Sequence, residues 1–286
     1  HHLPTVTTQR FHDGLFLVFK GLSKKILIAD LLATLAVDNV FTHPLTFSSW
    51  DLLIGLYAYT FQIYYDFSGY SDIAIGLAKM LGYDLPQNFN RPYLSQNVRE
   101  FWTRWHISLS TWLRDYLYIS LGGSRAAPWR VKMNLMITMF LGGLWHGAAL
   151  HFICWGVYHG LLLILARQGP KTEAVRTAAQ KVLLQIGCFH LIAFGWLLFR
   201  VQDLDNFLDF IRGWSHLTGG TRLSGVFYII LSLGILFHVF PAQRLERFAQ
   251  WWIMRPVPIQ AVTYGTLLLI YAGMTLEAPS FIYFQF

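Results

Sequence analysis

Charged residues are scarce in this sequence. Lysine, arginine, aspartate and glutamate make up 13% of its 286 residues, whereas 55% are hydrophobic. A soluble globular domain carries about 25% charged residues, so the composition excludes an ordinary soluble domain. The protein is predicted to be a membrane protein.

Segments of about ten residues that alternate between apolar and polar, the pattern of an outer-membrane barrel, are also lacking. The sequence instead contains continuous apolar runs at 182–199, 223–240 and 259–276. Each approaches the roughly 20 residues that a helix needs to cross a bilayer. We therefore predict an all-α, polytopic transmembrane helical bundle.

Several signatures of metal and nucleophile chemistry are missing. Cys154 and Cys188 both lie in apolar runs, which gives neither a disulfide framework nor a paired-cysteine metal motif. The sequence has no HExxH motif and no GxSxG elbow. His146, His151 and His159 are close in sequence, but at about 100° per residue they cannot converge from one straight helix. We therefore expect no metal site.

The net charge of +7 does not indicate nucleic-acid binding. The basic residues lie in short loops between apolar runs and form no stripe interleaved with exposed aromatic residues. They follow instead the pattern of basic loops that flank membrane helices. We predict the lipid bilayer, and no nucleic acid, as a partner.

Two of the apolar segments near the start carry polar interruptions. Residues 13–37 contain Lys24 and Lys25, which indicates two short helices or one interfacial helix rather than a clean span. Residues 50–82 contain a span that runs into DFSGYSD at 66–72. Its aspartates either line a break that receives substrate or pair with lysine or arginine side chains.

The next segments are polar and then amphipathic. Residues 84–100, with two prolines, are predicted to be a loop, either a solvated connection or a gate. In 101–118 the tryptophans and leucines recur at helical spacing, which predicts one amphipathic helix that lies in an interface or re-enters the bundle. Its polar side carries Ser110 and Arg114, and His106 lies at the border between the two faces.

Residues 133–166 are too many for one ordinary span, and three glycines near the middle predict a break. We predict two helices that meet around His146, with irregular backbone that protein or a water-filled cavity surrounds.

An ionisable residue in a membrane segment usually serves a function, although a hydrogen bond to a neighbouring helix is the structural alternative. An imidazole in a wet pocket can act as general base, taking the proton of an alcohol that attacks an acyl thioester. His106 could orient the acceptor or stabilise the oxyanion.

Three stretches of the sequence carry a resemblance to a known family: YYDFSGYSDIAIGLAKMLG, NFNRPYLSQNVREFWTRWHISLSTWLRDYLYISLGG and FLGGLWHGAALHFICWGVYHG. They resemble the membrane-bound O-acyltransferase family, and within it the bacterial branch that acts in alginate O-acetylation. The similarity extends to GLSKKILIAD, FGWLLFRVQDLDNFLDF and the terminal FIYFQF, which implies a single membrane-embedded domain over residues 1–286.

The resemblance implies a helical fold around a tunnel in the bacterial inner membrane, with further transmembrane helices ahead of His1. The invariant histidine of the family maps onto His146, and a second signature position, Asn or His in the wider family, maps onto His106. We further expect five residues to line the substrate tunnel, namely Trp145, Ser110, Arg114, Asp72 and Asn90.

The resemblance also implies an activity. An acetyl group would pass from a cytoplasmic thioester, acetyl-CoA or another acyl donor, toward the hydroxyls of an exopolysaccharide, directly or through periplasmic acetyltransferase partners, with no bound cofactor. Two alternatives stay open at this point. One is D-alanyl transfer to teichoic acid from a carrier protein, and the other is a non-catalytic membrane scaffold for soluble acetyltransferases.

Overall fold

A computed structural model describes residues 5–168, 177–215 and 220–274, and within these residues the chain forms helices and no β-strand. The predicted all-α architecture is confirmed. The α-helices are α1 Thr8–Lys24, α2 Asp38–Thr42, α3 Ser49–Met80, α4 Val98–Trp102, α5 Ile107–Trp112, α6 Pro128–His146, α7 Leu150–Gln168, α8 Ala178–Arg200, α9 Leu204–Ser215, α10 Gly225–Val239, α11 Ala242–Ile253 and α12 Val257–Met274. Three π-helical stretches cover Lys25–Asp30, Ala33–Val37 and Leu113–Tyr118, and three short 3₁₀ turns cover Pro44–Thr46, Pro92–Leu94 and Gly123–Arg125.

The described chain folds as two compact units. One unit comprises residues 5–37, 61–87 and 223–274, and the other comprises 38–60 together with the described residues of 88–222. The expectation of a single domain over residues 1–286 stays a prediction, and its terminal FIYFQF motif lies outside the described residues.

The predicted apolar spans are present as helices. Among the described residues α7, α8 and α12 are long and apolar enough to cross a membrane, and a fourth span results if α10 and α11 are counted together. Those two helices bend by 96° at the short break between them. The runs at 182–199 and 259–276 therefore match α8 and α12, while the run at 223–240 forms the shorter α10.

Of the two alternatives for DFSGYSD, the break is wrong, because α3 continues through it from Ser49 to Met80. Its aspartates do not disturb the helix because lysines neutralise them. The ammonium of Lys25 lies 2.6 Å from Asp66 and 2.7 Å from Asp30, and that of Lys24 lies 2.6 Å from Asp72. This confirms the alternative in which the acidic residues pair with basic side chains.

The lysines that suggested an interruption in residues 13–37 do not produce one either. Helical backbone continues without a gap from Thr8 to Thr42, with π-helical geometry starting at Lys25. Close approach of two backbones brings these lysines to α3, since a Cβ on Gly21 would lie 2.5 Å from the carbonyl oxygen of Gly69. Only glycine permits this approach at position 21.

Replacing Lys25 tests how strongly the ion pairs hold this unit. The Lys25 side chain is only 9% exposed, so Lys25→Met leaves two carboxylates without their shared cation in a buried site. We expect the free energy of unfolding to fall by roughly 3–5 kcal/mol, measured by thermal unfolding of the purified protein in detergent. Lys20→Met is the matched control because the Lys20 side chain is 41% exposed. Equal losses for the two variants would contradict the assignment.

Candidate active site

His146 is the last residue of α6, and α7 begins four residues later at Leu150. The predicted pair of helices meeting around this histidine is therefore confirmed. Glycines bring the two helices together, since a Cβ on Gly156 would lie 2.5 Å from the carbonyl oxygen of Met139. The chain reverses just after His146, where the N–H of Gly147 donates to the carbonyl of Leu144 at 3.1 Å.

The imidazole of His146 is held by aromatic rings. The rings of Trp155 and Phe199 meet it nearly at right angles, with centroids 5.3 and 5.0 Å from its own. Trp145 and Phe152 make further contacts at 5.0 and 6.0 Å. The residue is nevertheless half-buried rather than enclosed. Packing thus limits the motion of the ring, while the residue as a whole stays partly accessible.

The prediction of one helix over residues 101–118 is wrong. Helix α4 ends at Trp102, the chain turns, and α5 starts at Ile107. His106 sits in the turn with φ 40° and ψ 57°. These angles lie in the left-handed region, which few residues other than glycine, asparagine, aspartate and histidine adopt. The helical spacing of the tryptophans is real, but it does not reveal this turn.

Hydrogen bonds from the preceding loop explain the turn around His106. The N–H of Asn90 donates to the carbonyl of Arg104 at 2.9 Å, and the N–H of Ile107 donates to the carbonyl of Asn88 at 3.0 Å. The Asn88 side-chain oxygen also accepts from the N–H of Ser108 at 3.0 Å and from its hydroxyl at 2.8 Å. The loop therefore supplies the partners that a continuous helix would have supplied itself.

Two tryptophans anchor the turn, Trp102 at the end of α4 and Trp105 within the turn itself. Trp105 is buried against Trp196 of α8, with ring centroids 4.7 Å apart, and Trp102 packs on Trp155 of α7 at 5.8 Å. Farther along, Trp112 and Tyr116 are 54% and 70% exposed. The predicted apolar stripe is thus divided: its first part packs within the protein and its second part lies on the surface.

The structure brings the two histidines to the same place. Trp155 contacts the His146 ring and also Trp102, which lies four residues before His106. The two imidazoles are within range of an electrostatic interaction. Burial lowers the pKa of His106 to about 4, so this ring is neutral at physiological pH and offers one N–H donor and one acceptor nitrogen.

The expected tunnel-lining residues differ in their surroundings. Trp145 is 59% exposed, and Asn90 is exposed. The hydroxyl of Ser110 donates to the carbonyl of Trp105 at 3.0 Å, and Arg114 pairs with its neighbour Asp115 at 2.7 Å.

Asp72 belongs to the other unit, where lysines hold it. A tunnel-lining role for it and for the four residues above stays a prediction. Among the described residues no group of three or more His, Cys, Asp and Glu side chains could hold a metal ion.

His159 lies beside the candidate site, next to Trp155. It is completely buried, and neither ring nitrogen has a hydrogen-bond partner among the described residues. Its ring centroid lies 4.9 Å from that of Trp155 and 5.3 Å from that of Trp102. Backbone of α8 approaches it closely, since a Cβ on Gly195 would lie 2.6 Å from Nε2 of His159. Gly195, within the apolar helix α8, was the available signal in the sequence.

Comparison with known proteins shows the family of this chain. The MBOAT, membrane-bound O-acyltransferase family, matches residues 3–201, so the chain belongs to that family. It is 49% identical over 203 residues to the protein named "Probable alginate O-acetylase AlgI" of Azotobacter vinelandii, which covers 70% of this chain and 40% of the relative. It is 40% identical over 207 residues to the peptidoglycan O-acetyltransferase of Helicobacter pylori, covering 72% of this chain and 39% of that relative.

A third relative is named for a different activity. The teichoic acid D-alanyltransferase of Bacillus subtilis is 29% identical over 207 residues, covering 66% of this chain and 50% of that protein. The chain therefore spans between about two fifths and one half of the length of these relatives.

Asn88 offers a test of how the turn is held. Asn88→Ala removes the acceptor that caps the start of α5, and we expect a loss of about 1 kcal/mol in the free energy of unfolding. Asn88→Asp keeps the acceptor and is expected to stay close to the unaltered protein. Thermal unfolding in detergent measures both variants. A stability of Asn88→Ala equal to that of Asn88→Asp would show that the cap contributes nothing.

Proposed function

We propose that this chain carries the catalytic histidines of a bacterial inner-membrane O-acyltransferase. In this proposal an acetyl group moves from a cytoplasmic thioester, acetyl-CoA in the simplest case, toward hydroxyls of an exopolysaccharide. The observation that carries the proposal is the partly accessible His146 at the reversal between two apolar helices, within electrostatic range of the neutral His106. Membership of the family and the O-acetyltransferase names of two relatives support the same reaction.

The proposed step uses His146 as general base. Its imidazole takes the proton from the acceptor hydroxyl as the oxygen attacks the thioester carbonyl carbon. The C–S bond then breaks, the thiolate leaves, and the proton returns from the imidazolium to the sulfur. The perpendicular contacts of Trp155 and Phe199 with the ring would hold it in one orientation while the proton moves.

His106 has a different part in the same step. A neutral imidazole can donate its N–H to the oxyanion that develops on the thioester carbonyl. The turn that carries it is fixed by hydrogen bonds from residues 88–90 and by the buried Trp105. A donor held in place before the reaction stabilises the transition state without further reorganisation.

D-alanyl transfer from a carrier protein to teichoic acid is a second candidate, and one relative bears that name at 29% identity. The higher identity to proteins named as O-acetylases favours acetyl transfer. Mass spectrometry of the modified polymer distinguishes an acetyl from a D-alanyl ester. Purified protein that captures soluble periplasmic acetyltransferases yet turns over no thioester would instead indicate the scaffold role.

Substitution of His146 tests the base. His146→Gln keeps a polar side chain of similar size but removes the basic nitrogen, and we expect acetyl transfer to fall by about 10²–10⁴-fold. Transfer is measured as polymer acetylation in cells that produce the variant in its full-length context. His151→Gln is the matched control, since it lies five residues away and is expected to retain activity. Unchanged acetylation in His146→Gln would remove the basis of the proposal.

Three substitutions at position 106 separate chemistry from backbone geometry. His106→Asn keeps a side chain that tolerates the left-handed backbone and can donate a hydrogen bond, so it should retain most activity. His106→Gly keeps the backbone but removes the donor, and we expect a loss of about 10²–10³-fold in the rate of transfer. His106→Val should in addition lower the melting temperature. If His106→Gly transfers acetyl groups as fast as His106→Asn, the ring has no catalytic part.

A further inference from the structure

Helix α11 cannot continue the apolar span that precedes it. Helix α10 contains no charged residue, whereas α11 carries Arg244, Glu246 and Arg247 within four positions. Each charge at the centre of a bilayer costs about 2.5–3.5 kcal/mol. The chain bends by 96° between the two helices, so α11 lies roughly in the plane of the bilayer when α10 crosses it.

The side chains of α11 fall into three groups around its axis at about 100° per residue. The first group packs against the protein. Trp252 lies against the cluster of Phe19, Ile26, Tyr264 and Tyr271, and its indole N–H donates to the Tyr264 hydroxyl at 2.8 Å. This contact fixes the rotation of α11 about its own axis.

The second group is exposed and polar, and the third is exposed and mixed. Gln243, Glu246 and Gln250 lie together on one exposed side. On the other exposed side, Phe248 and Trp251 are 53% and 49% exposed, with Met254 just beyond the helix at 78%.

Two arginines lie among these exposed apolar side chains. Arg244 and Arg247 project from the mixed side, and the guanidinium of Arg255 lies 4.4 Å from the centre of the Trp251 ring. Apolar, aromatic and arginine side chains on one face suit the headgroup layer of a membrane, where the rings reach the acyl chains and the guanidinium groups reach phosphates.

We propose that α11 is an interfacial helix that binds anionic phospholipid headgroups through Arg244 and Arg247. In this placement, the side with Trp252 faces the protein, the mixed side faces the lipid headgroups and acyl chains, and the polar side faces water. The inference is independent of the acyl-transfer reaction, because every residue in it belongs to α11 or to the unit that packs against it.

Depth measurements test the placement of α11. Spin labels are attached to Phe248→Cys and, separately, to Gln250→Cys in protein carrying Cys154→Ser and reconstituted in bilayers. The label at 248 should collide more with dissolved oxygen than with a water-soluble nickel chelate, and the label at 250 should show the reverse. Equal exposure of both labels to the chelate would overturn the proposal. A label at 248 shielded from both reagents would also overturn it, since another protein would then cover that face.

A lipid-retention experiment tests the charge. The protein is released from nanodiscs containing equal amounts of phosphatidylglycerol and phosphatidylcholine, and bound lipids are counted by native mass spectrometry. Replacing Arg244 and Arg247 by Gln should lower phosphatidylglycerol retention by about 5-fold for each arginine removed. Replacing both by Lys should preserve most of it, and Glu246→Gln should not lower it. Retention that is the same in the double Gln and double Lys variants would refute a headgroup site.

Discussion

Polar groups among apolar helices must find their partners within the protein, because hydrocarbon supplies none. This constraint accounts for the main features of both units. In one unit it joins Lys25 to Asp30 and Asp66, so that three charged side chains occupy a buried place. In the other it makes the loop at 88–90 supply hydrogen bonds to the interrupted backbone around His106. In both units, a second segment of the chain supplies the ion pairs or hydrogen bonds that the charged or irregular segment needs.

The segments of the candidate site are also held by a neighbouring part of the chain, in this case through aromatic side chains. Trp155 and Trp196 come from α7 and α8, and the segments that carry His106 and His146 both pack on them. Aromatic contacts at near-right angles add about 0.5–1.5 kcal/mol each beyond the area they bury. Several such contacts hold the two histidine-bearing segments in place.

The helical architecture and the reversal at His146 could be predicted from sequence, because both depend on local composition: long apolar runs in one case and clustered glycines in the other. The continuity of α3 through DFSGYSD could not be predicted in this way. Asp66 and Asp72 interrupt the apolar pattern of the sequence. The lysines that neutralise them lie more than forty residues earlier in the chain, so the pattern around the aspartates does not show the pairing. The pairing itself was one of the two alternatives, but its consequence for the helix was not.

The interruption at His106 escaped prediction for the opposite reason. The spacing of Trp102, Trp105 and Trp112 is that of a helix. Asn88 and Asn90, however, form hydrogen bonds with the backbone of this segment, and the spacing of apolar residues gives no sign of these bonds. Burial of Trp105 and exposure of Trp112 show that one regular pattern serves two environments. The hydrogen bonds and ring contacts that hold the two histidine-bearing segments could therefore not be predicted from the sequence.

The contact between Gly195 and His159 links an unremarkable position in α8 to the proposed chemistry. Any larger residue at 195 has to displace the His159 ring, and that ring lies against Trp155, which in turn borders His146. We therefore expect positions 195 and 159 to change together in evolution, since a larger side chain at one position requires a smaller side chain at the other. A substitution at position 195 would therefore reach His146, the proposed base, through His159 and Trp155.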